Sequence, residues 1–196
     1  ALVTPQYQVI IDYLRGVAGQ PDPNIAGMGL TSFANSLKIE NCITRPGVIA
    51  SLTDPDYGEI SKPYATHSIP GTIPAAYYDI GARGLSYSDG DYWNDGDGGY
   101  NDGWVFRNDG VDVEGSDDDL NIPYTVGWTE AGEWLGYTIE DVLPGTYDVS
   151  FSISAPNAGG IFYAQLSGQN LGVIDVPSTG GWYNWEDIPS QRIEIT

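Results

Sequence analysis

The stretch GTYDVSFSISAP, residues 145–156, decides the fold. Tyr147, Val149, Phe151 and Ile153 alternate with Asp148, Ser150, Ser152 and Ser154, so an extended chain carries one apolar and one wet face. That period of two is the signature of a strand with one side buried. On a helix the same four residues would fall on two opposite sides and define no single buried face. Working outward, VGWTEAGEWLGYTI (126–139), IFYAQLSG (161–168), NLGVIDVP (170–177) and QRIEIT (191–196) read as further strands, separated by Gly, Pro or Asn turns. Short strands at that spacing, with no helical period between them, predict an all-β jelly-roll β-sandwich over residues 71–196.

Upstream the period changes. Thr4 and Pro5 form an N-cap and first-turn pair, and Val9, Ile10, Tyr13, Leu14 and Val17 lie on one side of a helix that Gly16 and Gly19 end. GQPDPN (19–24) reads as a turn, and a second helix is expected from Thr31 to about Asn41 with Phe33, Ala34 and Leu37 inward. Residues 1–45 are therefore a short helical segment, the tail of a neighbouring unit or a packing arm. Two short amphipathic helices make little core alone. Pro46, Pro55, Pro63 and Pro70 mark residues 46–70 as a proline-containing linker.

The chain holds 27 acidic and 7 basic residues, a net charge of −20. Six acids and four bases fall in residues 1–70, a net of −2, and 21 acids and three bases in residues 71–196, a net of −18. Such a surface repels phosphate backbones and anionic lipid, which excludes nucleic acid as a partner. No run of 18 or more apolar residues is present, so membrane insertion is not expected. With 41% apolar and 12% aromatic residues the acidic part still has the means to fold. Cys42 is alone and cannot form an internal disulfide. His67, the single histidine, has no partner histidine for a zinc site and lies where a Ser-His-Asp triad is not expected.

IPGTIPAAYYDIGARGLSYSD (69–89), FRNDGVDVE (106–114), the long run 126–168 with GEWLGYT and PGTY, and VIDVPSTGGWYNW (173–185) occur in that order. Together they resemble the family 6 carbohydrate-binding modules, β-sandwich lectin-like domains of polysaccharide-degrading enzymes. The resemblance covers about residues 69–185 and leaves residues 1–60 outside. It implies a loop-end cleft in which two rings clasp a sugar, the tryptophan of GGW, here Trp182, and a ring before an arginine, here Phe106 before Arg107. An exposed ring covers the C–H face of a pyranose and removes apolar area from water at little entropic cost.

Three departures from the family pattern qualify that picture. The two carboxylates of the first family strand are replaced by Ile73, Pro74, Ala75 and Ala76. The loop SDGDYWNDGDGGYNDGW (88–104) is long and aromatic, so Tyr92, Trp93, Tyr100 and Trp104 become further candidates for sugar contact. The family's last two strands have no counterpart before Thr196, so a longer protein, or strand completion by another copy, is expected. Trp128 and Trp134, set within a strand, are expected to be buried, and Trp185 to belong to the core or the sheet face.

Asp89, Asp91, Asp95, Asp97, Asp112 and Glu114 are spread through a glycine-rich stretch, and a hard cation takes six to eight oxygens, so a structural calcium is the one cofactor that the composition suggests. The spacing is not that of an EF-hand loop. A solvated acidic surface accounts for the same residues.

The function expected is non-catalytic binding of a β-linked polysaccharide, such as β-glucan, xylan or an agarose-like polymer, by aromatic stacking. Such a module brings an associated glycoside hydrolase to its substrate. The setting expected is extracellular, secreted or at the cell surface. The alternative of another class is a surface or self-assembling protein that keeps the sandwich and has lost sugar binding.

Overall fold

The computed structural model describes residues 4–90, 101–116 and 122–196. The chain divides into two units, Ala1–Arg45 and Pro46–Thr196.

The first unit is a helical hairpin. Helix α1 spans Pro5–Leu14, capped by the Thr4 side chain on the Tyr7 amide. Helix α2 spans Pro23–Ser36, whose Asp22 side chain caps the amides of Asn24 and Ile25. The second helix thus starts eight residues before Thr31, because Asp22 and Pro23 are a cap and first-turn pair rather than a turn. Its midpoint can lie against α1 only because residue 29 is glycine: a Cβ there would come within 2.4 Å of the Gln6 carbonyl oxygen. Tyr7 and Phe33 stack across the same crossing with ring centres 4.3 Å apart.

The second unit opens with helix α3, Pro46–Thr53. Where a linker is expected over 46–70, the chain instead runs along the body of its unit. Lys62 pairs with Ile80, Ser61 donates to the buried Asp79 carboxylate at 3.0 Å, and strand β1 (Ser68–Ile69) lies parallel to strand β6 (Asp141–Val142). The prolines suit this course, since Pro46 opens α3 and Pro55 follows its end. His67 is buried in it, with Nε2 at 3.0 Å from the Tyr77 carbonyl.

The rest is mostly strand, in short ladders. Strand β2 (Tyr87–Ser88) pairs with β5 (Trp134–Leu135), and β3 (Val113–Gly115) with β4 (Tyr124–Val126). The long strand β7 (Gly145–Ile153) pairs with β10 (Glu186–Ile195), and β8 (Ile161–Leu166) with β9 (Gln169–Asp175). A four-residue helix α4, Gly103–Phe106, precedes β3. Strand β7 carries the alternation of its sequence: every odd residue from Gly145 to Ile153 is half-buried and every even one exposed. The β8–β9 turn is Ser167-Gly168, both at positive φ (47° and 80°), the two-residue geometry whose twist matches a hairpin. Strand β10 starts at Glu186 and not at Gln191, and its Pro189 is tolerated because the ladder with β7 slips between Pro189 and Arg192. No closed barrel forms among the described residues.

The main core gathers Ala76, Tyr78, Tyr87, Val111 and Val113, with Phe106, Tyr124, Leu135 and Tyr137 packed against it. Arg107 is buried there, its guanidinium 3.8 Å from the Tyr78 ring centre and 4.4 Å from that of Tyr64. It donates to the carbonyls of Tyr78 and, at 2.9 Å, Asp79, which ties the segment after Ala75 to α4. Burial, and then the neighbouring Asp109 charge, push the Tyr78 hydroxyl far above its ordinary range. A second apolar layer holds Leu171, Ile174 and Ile193, with Phe151 edge-on to Phe162 at 5.1 Å.

Candidate functional site

The VPSTGGWYNW segment becomes the loop from Val176 to Trp185, between β9 and β10. It is fastened to the loop that follows β7. The Thr179 amide donates to the Ala155 carbonyl at 2.8 Å, and the Thr179 hydroxyl accepts the Ala155 amide at 2.9 Å. Ser178 donates to the Pro156 carbonyl at 2.8 Å, Ser154 to the Gly181 carbonyl at 3.1 Å and to that of Trp182, and Asn184 to the Thr179 carbonyl at 3.2 Å. Gly180 turns the chain at φ +85°, a conformation that a side chain would strain. Thr179 is 9% exposed while Trp182, three residues on, is 68% exposed. An anchored backbone therefore presents an indole to water, at a position where a ring can meet an apolar ligand face without first being ordered.

Tyr183, 47% exposed, turns its hydroxyl to Glu114 of β3 and donates to the carboxylate at 2.6 Å. A phenol on a carboxylate is a charge-assisted bond, so the loop is held from a second side. The sequence reading missed both Thr179 and the Tyr183–Glu114 pair. The seryl and threonyl content of PSTGG was a signal for the first. Residues 69 positions apart left no signal for the second.

The other candidates are placed differently. Phe106 is half-buried, stacked on Tyr124 with ring centres 4.1 Å apart and bounded by Tyr77 at 6.0 Å and Tyr64 at 5.8 Å. Its ring is thus packed among protein rings, with Tyr124 stacked directly on it. Trp104 is half-buried in α4. Tyr92, Trp93 and Tyr100 lie outside the described residues. Trp134, expected to be buried, is 42% exposed, because β5 is two residues long and Leu135 is the one that packs on the core. Trp128 and Trp185 are half-buried.

Of the candidate cation ligands, Asp91, Asp95 and Asp97 also lie outside the described residues. Asp89 and Asp112 are buried and Glu114 is half-buried. Asp112 accepts the Asn101 amide and Glu114 the Tyr183 hydroxyl, so these oxygens already have donors. Among the described residues no three His, Cys, Asp or Glu side chains are grouped to hold a metal ion. The described acids do not make a calcium cage.

Comparison with known proteins bears on the part of the chain that holds the Trp182 loop. Residues 107–196 match the family model described as "Carbohydrate binding module (family 35)". That supports a carbohydrate-binding module and a β-sandwich, but not family 6 in particular. Over 60 residues the chain is 37% identical to the Clotting factor G alpha subunit of Tachypleus tridentatus, a stretch that covers 29% of this chain and 9% of that protein. The matched residues contain β3 to β10 and the whole Trp182 loop, and the match supports non-catalytic carbohydrate binding.

Proposed function

We propose that the unit Pro46–Thr196 is a jelly-roll module that binds β-linked polysaccharide by stacking the Trp182 ring on a pyranose face, and so holds an associated enzyme at its substrate. The observation that carries this reading is Trp182 itself, 68% exposed on a loop hydrogen-bonded to its neighbour at both Ser154 and Ala155. A large ring so exposed has no packing role to explain it, and its apolar area is gained by a ligand on contact. Micromolar affinity, about −6 to −8 kcal/mol, suffices to tether a module to an insoluble polymer.

Affinity electrophoresis through gels containing β-glucan, xylan or agarose tests it. The wild-type chain is retarded by at least one gel, and Trp182→Ala runs freely while its circular dichroism and melting temperature are unchanged. Equal retardation of the two proteins removes Trp182 from the site.

A further inference from the structure

Strand β8, the segment IFYAQL (161–166), is bonded along one edge only among the described residues. Its ladder to β9 takes up that edge. Strand β9 is met in turn by β10, whose Ser190 and Gln191 side chains donate to the carbonyls of Leu171 and Asn170. Nothing comparable reaches the other side of β8, so a row of backbone donors and acceptors there faces any strand that can approach it.

Proteins ordinarily guard such an edge with charge or proline. Strand β8 has neither, and residues 149–174 hold no charged side chain at all, in a unit with 24 acids and four bases. Strand β7, likewise paired on one side, does carry a charge, Asp148, forked to Arg192 at 2.7 and 2.8 Å. The outward residues of β8 are instead Ile161 and Tyr163, 68% and 69% exposed, with Val173 opposite Tyr163 on β9 and 64% exposed. A six-residue segment of high β propensity, without charge, proline or glycine, is also the composition that pairs with itself.

The occupant that fits these observations is the same strand of a second copy. Chains that each carry −20 repel one another, and the uncharged stretch is where two of them can meet at least electrostatic cost. Alternate residues of β8 face in and out, so only an antiparallel register centred on a residue keeps the inward sides of both copies together. Centred on Tyr163, it sets Tyr163 across from its own copy and Ile161 across from Gln165. We infer that β8 is a self-association edge, through which two copies of the chain join by an antiparallel β8–β8 ladder about a two-fold axis. A single ladder of this length falls short of the about 800 Å² per partner of a standard interface, so the dimer is weak and exchanges with monomer. It does not depend on Trp182.

Sedimentation velocity of the full chain over a concentration series tests it. Wild type passes from monomer toward dimer by about 100 µM protein in about 1 M salt. The association weakens about tenfold or more in about 0.01 M salt, where charges act over about 30 Å rather than about 3 Å. Tyr163→Glu and Ile161→Glu set like charges in the ladder on side chains exposed in the monomer, so each raises the dissociation constant about tenfold or more at an unchanged melting temperature. Ser150→Glu adds the same charge on the exposed side of β7 and leaves the dimer as it is. Amide hydrogen exchange across residues 161–166 slows as the protein concentration rises. A wild type that stays monomeric under these conditions overturns the inference. So does a dimer that Tyr163→Glu and Ile161→Glu leave intact, or one that Ser150→Glu weakens as much. Exchange at residues 161–166 that is equal in monomer and dimer places the contact elsewhere and overturns it too, whatever the variants do.

Discussion

Thr179 fastens the loop on which Trp182 is exposed. Thr179→Val keeps the shape but leaves the buried Ala155 amide without its 2.9 Å acceptor. A lost partner of this kind costs about 1–3 kcal/mol, read as a lower denaturation midpoint, and retention on the neutral gel should weaken although no sugar contact has been touched. An unchanged midpoint would mean that the loop does not depend on this bond. Trp182 was singled out through the GGW motif of the family that the chain resembles, and the structure shows its ring 68% exposed. Phe106 was legible only as a ring beside Arg107. Its packing against Tyr124 and Tyr77 depends on residues 18 and 29 positions away, which no local pattern records.

Elements were legible where a period ran unbroken through them. Strand β7 is nine residues long and its alternation survives into the burial of every side chain. Strands β1, β2, β5 and β6 are two residues each, too short to hold a period, and Trp134 was placed inside for that reason. Helix α2 was shifted because Pro23 was read as a break and not as a first turn. The crossing of α1 and α2 yields a prediction that separates local propensity from packing. Alanine in place of an exposed helical glycine normally stabilises by about 0.5–1 kcal/mol. At Gly29 the added carbon would meet the Gln6 carbonyl at 2.4 Å, so packing wins and Gly29→Ala should speed amide hydrogen exchange across residues 5–36. Slower exchange there would show that the helices part at no cost.

At the scale of the molecule, charge and structure partition the chain in nearly the same way, though not at the same residue. The strand periodicity suggested a sandwich starting at residue 71, whereas the second unit starts at Pro46, because the segment after it is bound in through Ser61, Lys62 and β1. Ala1–Arg45 has three acids and three bases, and Pro46–Thr196 carries the whole net charge of −20. The unit with the anchored indole is thus also the acidic one, which suits an uncharged polyol ligand. The most direct measurement of that account is oxidation of tryptophan by N-bromosuccinimide, read residue by residue by peptide mass spectrometry with and without the polysaccharide that retards the chain. Trp182, at 68% exposure against 42% for Trp134, should be modified ahead of Trp134 and be protected by the polymer. Undiminished oxidation of Trp182 at saturating polysaccharide would contradict the account.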